Sequence, residues 1–147
     1  MWEKNVNIND VKEIRTRTTV YFGVGAIKKI DDILKNLKAK NVDKVIVMSG
    51  RNAYKATGAW DVVEKALKDN GIGYVNFDQV TPNPTTHHVN DATKMARDFG
   101  AKAVIAIGGG SPTDAGKSVA ILMINKQKIF MNLNSLQKKL LQSFQST

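Results

Sequence analysis

The chain has 147 residues, 42% of them hydrophobic and 24% charged, which is the size and make-up of one globular domain with a core of its own. With no cysteine it has no disulfide framework, thiolate metal site or cysteine nucleophile. The formal charge of +9 does not mark a nucleic-acid binder. Four of the 22 basic residues, Lys126, Lys128, Lys138 and Lys139, stand in a tail that holds none of the 13 acidic ones, and over residues 1–123 the two signs are interspersed. Neither a signal-peptide start nor a membrane-length apolar run is present, so the expectation is a soluble, cytoplasmic protein with no nucleic-acid and no membrane partner.

In chain order, Arg15 and Arg17 alternate like the approach to an edge strand, and Thr18–Phe22 is β-branched and aromatic enough for a strand. From Gly25 to Lys40, Ile27, Ile30, Ile33, Leu34 and Leu37 keep the spacing of an amphipathic helix. Lys44–Met48 is a short apolar run that fits a buried strand. Val62, Val63, Ala66 and Leu67 predict a helix over 60–70, stopped at Asn70-Gly71. Gly73–Phe77 is the next strand, and Thr81-Pro-Asn-Pro-Thr85 a loop stiffened by its prolines. Val89, Ala92, Met95, Ala96 and Phe99 predict a helix ending at Gly100, and Ala103–Ile107 a further strand. Strand and helix alternate from residue 44 onward with near-continuous apolar strands. This predicts an α/β, doubly wound, mostly parallel sheet with helices on both faces, its ligand held beyond the carboxyl ends of the strands.

The most informative segment follows the last of these strands. Gly108, Gly109 and Gly110 lack a Cβ, so the chain is free to turn with positive φ and to bring its N–H groups close to an anion. Ser111 is placed to cap the helix that follows, Pro112 suits its first turn, and Asp114 reads as a first-turn carboxylate. The segment is no Walker loop, because five residues separate Gly110 from Gly116 rather than four. A glycine turn between a buried strand and a helix is a phosphate cradle, which points to a nucleotide.

Gly108-Gly-Gly-Ser-Pro-Thr-Asp-Ala-Gly-Lys117 resembles the GGGSxxDxAK signature of the iron-containing (group III) alcohol dehydrogenases. Phe22-Gly-Val-Gly-Ala26, Val45–Met48 and Pro82-Asn-Pro-Thr85 extend the resemblance over roughly residues 18–123. Gly116 stands where that family usually has alanine, a change that on a helix costs about 1 kcal/mol. The resemblance implies a Rossmann-like cofactor domain, with Gly109, Gly110 and Ser111 at the pyrophosphate and Asn83 lining the cleft. It also implies hydride transfer between a nicotinamide and a primary alcohol or aldehyde, with iron polarising the carbonyl.

NAD-preferring members carry an aspartate just past the strand that here ends at Met48. This chain has Ser49-Gly50-Arg51-Asn52, where Gly50 leaves room and Arg51 or Lys55 offers charge, so NADP(H) is expected over NAD(H). The family's iron ligands lie on a helical domain downstream of the signature. Adjacent His87 and His88 are poorly arranged to chelate and read as surface or capping residues. The expectation is therefore no catalytic and no metal residue, a cofactor-binding domain over 1–123, and a chain that is truncated and inactive alone. Residues 124–147 read as an atypical tail, expected to be a frameshifted continuation, with Leu133, Leu136, Leu140, Leu141 and Phe144 on one helical face. Two alternatives remain: a non-catalytic dinucleotide-binding or oligomerising fragment, or the domain of a glycerol-dehydrogenase-like zinc enzyme. Self-association through an exposed interdomain surface or the tail is the expected protein partnership.

Overall fold

The computed structural model describes residues 12–15 and 18–124, the first four in backbone only. Arg17 and the apolar tail face between Leu133 and Phe144 lie outside the described residues. Strands β1 (Lys12–Arg15) and β2 (Thr19–Phe22) form an antiparallel pair, separate from the main sheet. A 3₁₀ turn at Ala26–Lys29 leads into α1 (Ile30–Ala39), followed by β3 (Lys44–Ser49), the single turn α2 (Ala53–Ala56) and α3 (Ala59–Asp69). Then come β4 (Gly73–Phe77), α4 (Thr86–Phe99), β5 (Ala103–Ile107) and α5 (Gly110–Ile124).

The main sheet is parallel, in the order β4-β3-β5, with Val47 opposite both Asn76 and Ile105. Both faces are covered, as the continuous apolar strands demand. On one face Ile46, Met48 and Phe77 pack with Val89, Ala92 and Ala96 of α4 and Ala115 and Val119 of α5. On the other, Val45 and Val47 pack with Leu34 of α1 and Val63, Ala66 and Leu67 of α3. The doubly wound architecture is therefore present. The burial is uneven: β3 is fully covered from Val45 to Ser49, whereas β5, flanked by one strand, is only half-buried.

Two helices depart from the expected pattern. Residues 25–40 are not one α-helix, because Gly25 takes a left-handed φ of 79° and the chain tightens into the 3₁₀ turn before α1 starts. Ile27, which falls in the 3₁₀ turn, and Ile33 are exposed instead of joining Leu34 in the core. They line an open groove of about 370 Å³ with Tyr21, Ile105, Ile107 and Gly108. Met95, expected on the core face of α4, is 37% exposed, while Val89, Ala92, Thr93 and Ala96 are buried. Its place on the inner stripe is taken by Thr93, whose hydroxyl donates to the Val89 carbonyl at 2.6 Å and so needs no other partner.

Candidate dinucleotide site

In the order β4-β3-β5, the chain steps from β3 to one side and later returns to the other. The strand order thus reverses between β3 and β5, and in open parallel sheets the crevice at that switch point is where ligands bind. Ser49 and Ile107 are register partners at the ends of β3 and β5, so Gly50 and Gly108 leave the sheet side by side. The loop after β4 joins them: the Val80 N–H donates to the Ser49 carbonyl at 3.2 Å, and a Cβ on Gly50 would lie 3.4 Å from the Val80 carbonyl oxygen. Three loops separated by up to sixty residues meet at one sheet edge because the strands run parallel.

The three glycines do different work. The freedom to turn with positive φ is used by Gly108 alone, at 141°; Gly109 and Gly110 are not in that region. A Cβ on Gly108 would meet Pro112 Cγ at 2.9 Å, so this glycine is demanded by the fold itself. A Cβ on Gly109 or Gly110 would touch nothing within 4 Å. No steric contact in the described fold asks for glycine there; a ligand approaching the backbone would.

The helix also begins earlier than expected. α5 starts at Gly110, and the Thr113 N–H donates to the Gly109 carbonyl at 3.3 Å, which puts Gly109 rather than Ser111 at the cap. Ser111 is the second helical residue, in the first turn whose N–H groups lack helical partners. Asp114 is the fifth, past the first turn, so the expected dipole argument does not apply to it. Its exposed carboxylate stands 3.3 Å from Lys117 Nζ. The serine-first reading failed because a glycine with open space beside it caps nearly as well as serine.

Gly116 proves more than a weakened helix position. A Cβ there would lie 3.2 Å from Ala106 Cβ and 3.4 Å from Val104 Cγ1, so glycine lets α5 approach β5 closely. Beside the crevice, Gly50 is half-buried, while Arg51 and Lys55 are exposed. Arg51 makes no ion pair among the described residues. Lys55 Nζ lies 5.5 Å from the centre of the Tyr54 ring. Asn83 is exposed with a φ of 59°, a left-handed position that asparagine tolerates, so it serves the proline loop's turn whatever the crevice holds.

His87 is exposed, and His88 caps α4: its Nδ1 accepts from the Thr85 N–H at 3.1 Å, which makes Nδ1 the unprotonated nitrogen. The His88 ring also packs edge-on to Phe77. Among the described residues, no group of three or more His, Asp or Glu side chains stands together. No described helix is long and apolar enough to cross a membrane.

Two features of the site were not anticipated. Asn76 Nδ2 donates to Tyr54 Oη at 2.8 Å, and the Ser49 hydroxyl is wholly buried at the end of β3. The signal for the first was a lone asparagine within the apolar run Gly73–Phe77.

Fold and site together define a doubly wound α/β unit with a glycine turn and a helix N-terminus at its topological switch point. The chain is matched over residues 17–144 by the family model for iron-containing alcohol dehydrogenase, and it belongs to that family. The match runs past residue 123, where the atypical tail was expected to begin.

The chain is similar to the long-chain primary alcohol dehydrogenase AdhA of Thermoanaerobacter ethanolicus, 54% identical over 123 residues, covering 84% of this chain and 31% of that one. It is similar also to the NADPH-dependent butanol dehydrogenase of Clostridium saccharobutylicum, 34% identical over 76% of this chain and 27% of that one. Among solved structures, NADH-dependent butanol dehydrogenase A of Thermotoga maritima aligns with a TM-score of 0.66 and 34% identity, over 74% of this chain and 27% of that one. The chain thus spans about a third of the length of the curated relatives it matches.

Proposed function

We propose that the chain supplies the dinucleotide-binding part of an alcohol dehydrogenase, with NADP(H) preferred. The observation that carries the reading is the open space over Gly109 and Gly110 at the N-terminus of α5, beside the switch point. The pyrophosphate lies there, against the free N–H groups of the first turn and the Ser111 hydroxyl. Gly50, on the neighbouring strand end, receives the adenosine ribose. The segment from Ser49 to Trp60 contains no carboxylate to repel a 2′-phosphate, and Arg51 and Lys55 offer two cations to attract one. The relatives' names include both NADPH- and NADH-dependent enzymes, so the preference rests on these residues alone.

In the reaction a hydride passes between the nicotinamide and the carbonyl carbon of a primary alcohol–aldehyde pair. The described residues bind and orient the dinucleotide; none of them gathers into a metal-binding group, and no step through iron is assigned to them. The 147-residue chain assayed alone is accordingly expected to bind cofactor without oxidising alcohols.

Titration with NADPH and NADH, followed by nicotinamide fluorescence, tests the reading. Saturable binding of both, tighter for NADPH, is expected, and Gly50→Asp should shift the ratio toward NADH. Absence of binding defeats the cofactor site; an unchanged ratio in Gly50→Asp defeats the preference.

Self-association is a second reading, favoured by the exposed apolar side chains Val20, Phe22 and Val24, of which Phe22 is 71% exposed. Light scattering across a concentration series decides it, a constant monomer mass being the contrary result.

A further inference from the structure

The turn Gly50–Asn52, which the proposed 2′-phosphate recognition depends on, runs directly into α2, a helix of four residues. One turn of helix does not hold itself together in water, so something else must fix it. The backbone contributes little: the Lys55 and Ala56 N–H groups both donate to the Asn52 carbonyl at 3.1 Å. The Thr57 hydroxyl adds a bond to the Tyr54 carbonyl at 3.2 Å, and the Gly58 N–H one to the Lys55 carbonyl at 3.0 Å; the Tyr54 side chain supplies the tie to the core. That side chain is 2% exposed, whereas Lys55 and Ala56 are exposed, so among the described side chains of α2 it is the one that plugs the helix into the body of the protein. Its ring meets Trp60 edge-on at 5.5 Å, and Trp60 meets Tyr74 of β4 in the same way at 5.4 Å. At the tip, Tyr54 Oη accepts the 2.8 Å hydrogen bond from Asn76.

The register puts Asn76 opposite Val47, and Ser49, two residues further along β3, shares that face. The buried Asn76 Oδ1 and Ser49 Oγ have no hydrogen-bond partner among the described residues, so the Tyr54 phenol, accepting from Nδ2, is the one side-chain group bonded to the Asn76 amide there. Turning the amide over would leave a bond to the phenol in place, because a hydroxyl both donates and accepts.

We infer that Tyr54, tied to Asn76, is a positioning residue for recognition of the 2′-phosphate. It fixes the start of α2 against β4 and thereby holds Arg51 and Lys55, one on each side of it in sequence, at the ribose end of the crevice. The inference rests on the NADP(H) reading above. It names a residue that touches no ligand and acts through the two cations beside it. Loosening α2 therefore weakens binding of the phosphorylated cofactor and leaves the dinucleotide that lacks the phosphate nearly untouched.

Tyr54→Phe keeps the ring stack and removes the hydroxyl in the 147-residue chain. Tyr54→Phe with Asn76→Leu removes both polar partners, so that no buried amide is orphaned if the single variant folds poorly. NADPH and NADH titrations of each are compared with the unaltered chain. The expected result is a dissociation constant for NADPH raised about tenfold, the order of one hydrogen bond's worth, with that for NADH changed less than about twofold. If both cofactors weaken equally, or neither does, Tyr54 is a structural anchor only and the inference is overturned. If the unaltered chain binds neither dinucleotide, the cofactor reading itself fails and the inference falls with it, a result distinct from the previous one.

Discussion

Gly108 and Pro112 face each other across the turn that ends β5: with φ at 141°, a Cβ on Gly108 would stand 2.9 Å from the proline Cγ. Neither partner yields, since the proline ring is rigid and sits in the first turn of α5. The first glycine of the triplet is thus a requirement of folding, separate from any requirement of a ligand. Gly108→Ala combines backbone strain with a clash and should destabilise the chain by about 2 kcal/mol or more. Urea unfolding checks this; a midpoint equal to that of the unaltered chain would contradict the geometry.

Gly116 is constrained from outside its own helix, by Ala106 on β5. Helix propensity alone favours replacing it, yet a branched side chain would be driven into Val104 and Ala106. Gly116→Val is expected to cost about 2 kcal/mol, the usual scale of overpacking, with α5 displaced from the sheet. Gly116→Val that is as stable as the parent would show that α5 and β5 do not approach so closely.

Glu64 and Tyr74 give the fold a pH signature. The phenol donates to the Glu64 carboxylate, which also pairs with Lys68 at 3.1 Å. The Tyr74 hydrogen bond, then Lys68, holds the Glu64 carboxyl below its ordinary 4.5. The same bond, with some burial, raises the Tyr74 phenol above its ordinary 10.0. For Glu64 the folded pKa is lowered, so its contribution is present above 4.5 and is lost as pH falls through the folded value. For Tyr74 the folded pKa is raised, so its contribution is present below 10.0 and is lost as pH rises through the folded value. The gap in thermal midpoint between the chain and Glu64→Gln should be widest between these limits and narrow beyond both. A gap independent of pH would contradict the pairing.

The parallel sheet, its two helical faces and the strand-to-helix turn between them were legible because each depends on a local pattern. Examples are the apolar run Val45–Met48 and a glycine triplet between Ile107 and Pro112. At two positions the deciding contact was distant in sequence. Gly116 is understood only through Ala106 and Val104, and Tyr54 only through Asn76, twenty-two residues on. Ser111 was given the cap on residue type, while the backbone gave it to Gly109. Ile27, Ile33 and Met95 carry the right spacing for burial yet are exposed, because spacing sets which residues share a face and not how much of that face is packed over.

The central claim, that this turn cradles a dinucleotide pyrophosphate, is tested most directly on the second glycine. A methyl group on Gly109 meets no atom of the protein within 4 Å and would collide only with a ligand. Gly109→Ala loses a good cap and should cost about 1 kcal/mol in urea unfolding while leaving the chain folded, and its NADPH affinity in a fluorescence titration should fall at least about tenfold. Unchanged affinity in a fully folded Gly109→Ala would place the pyrophosphate elsewhere and contradict the account.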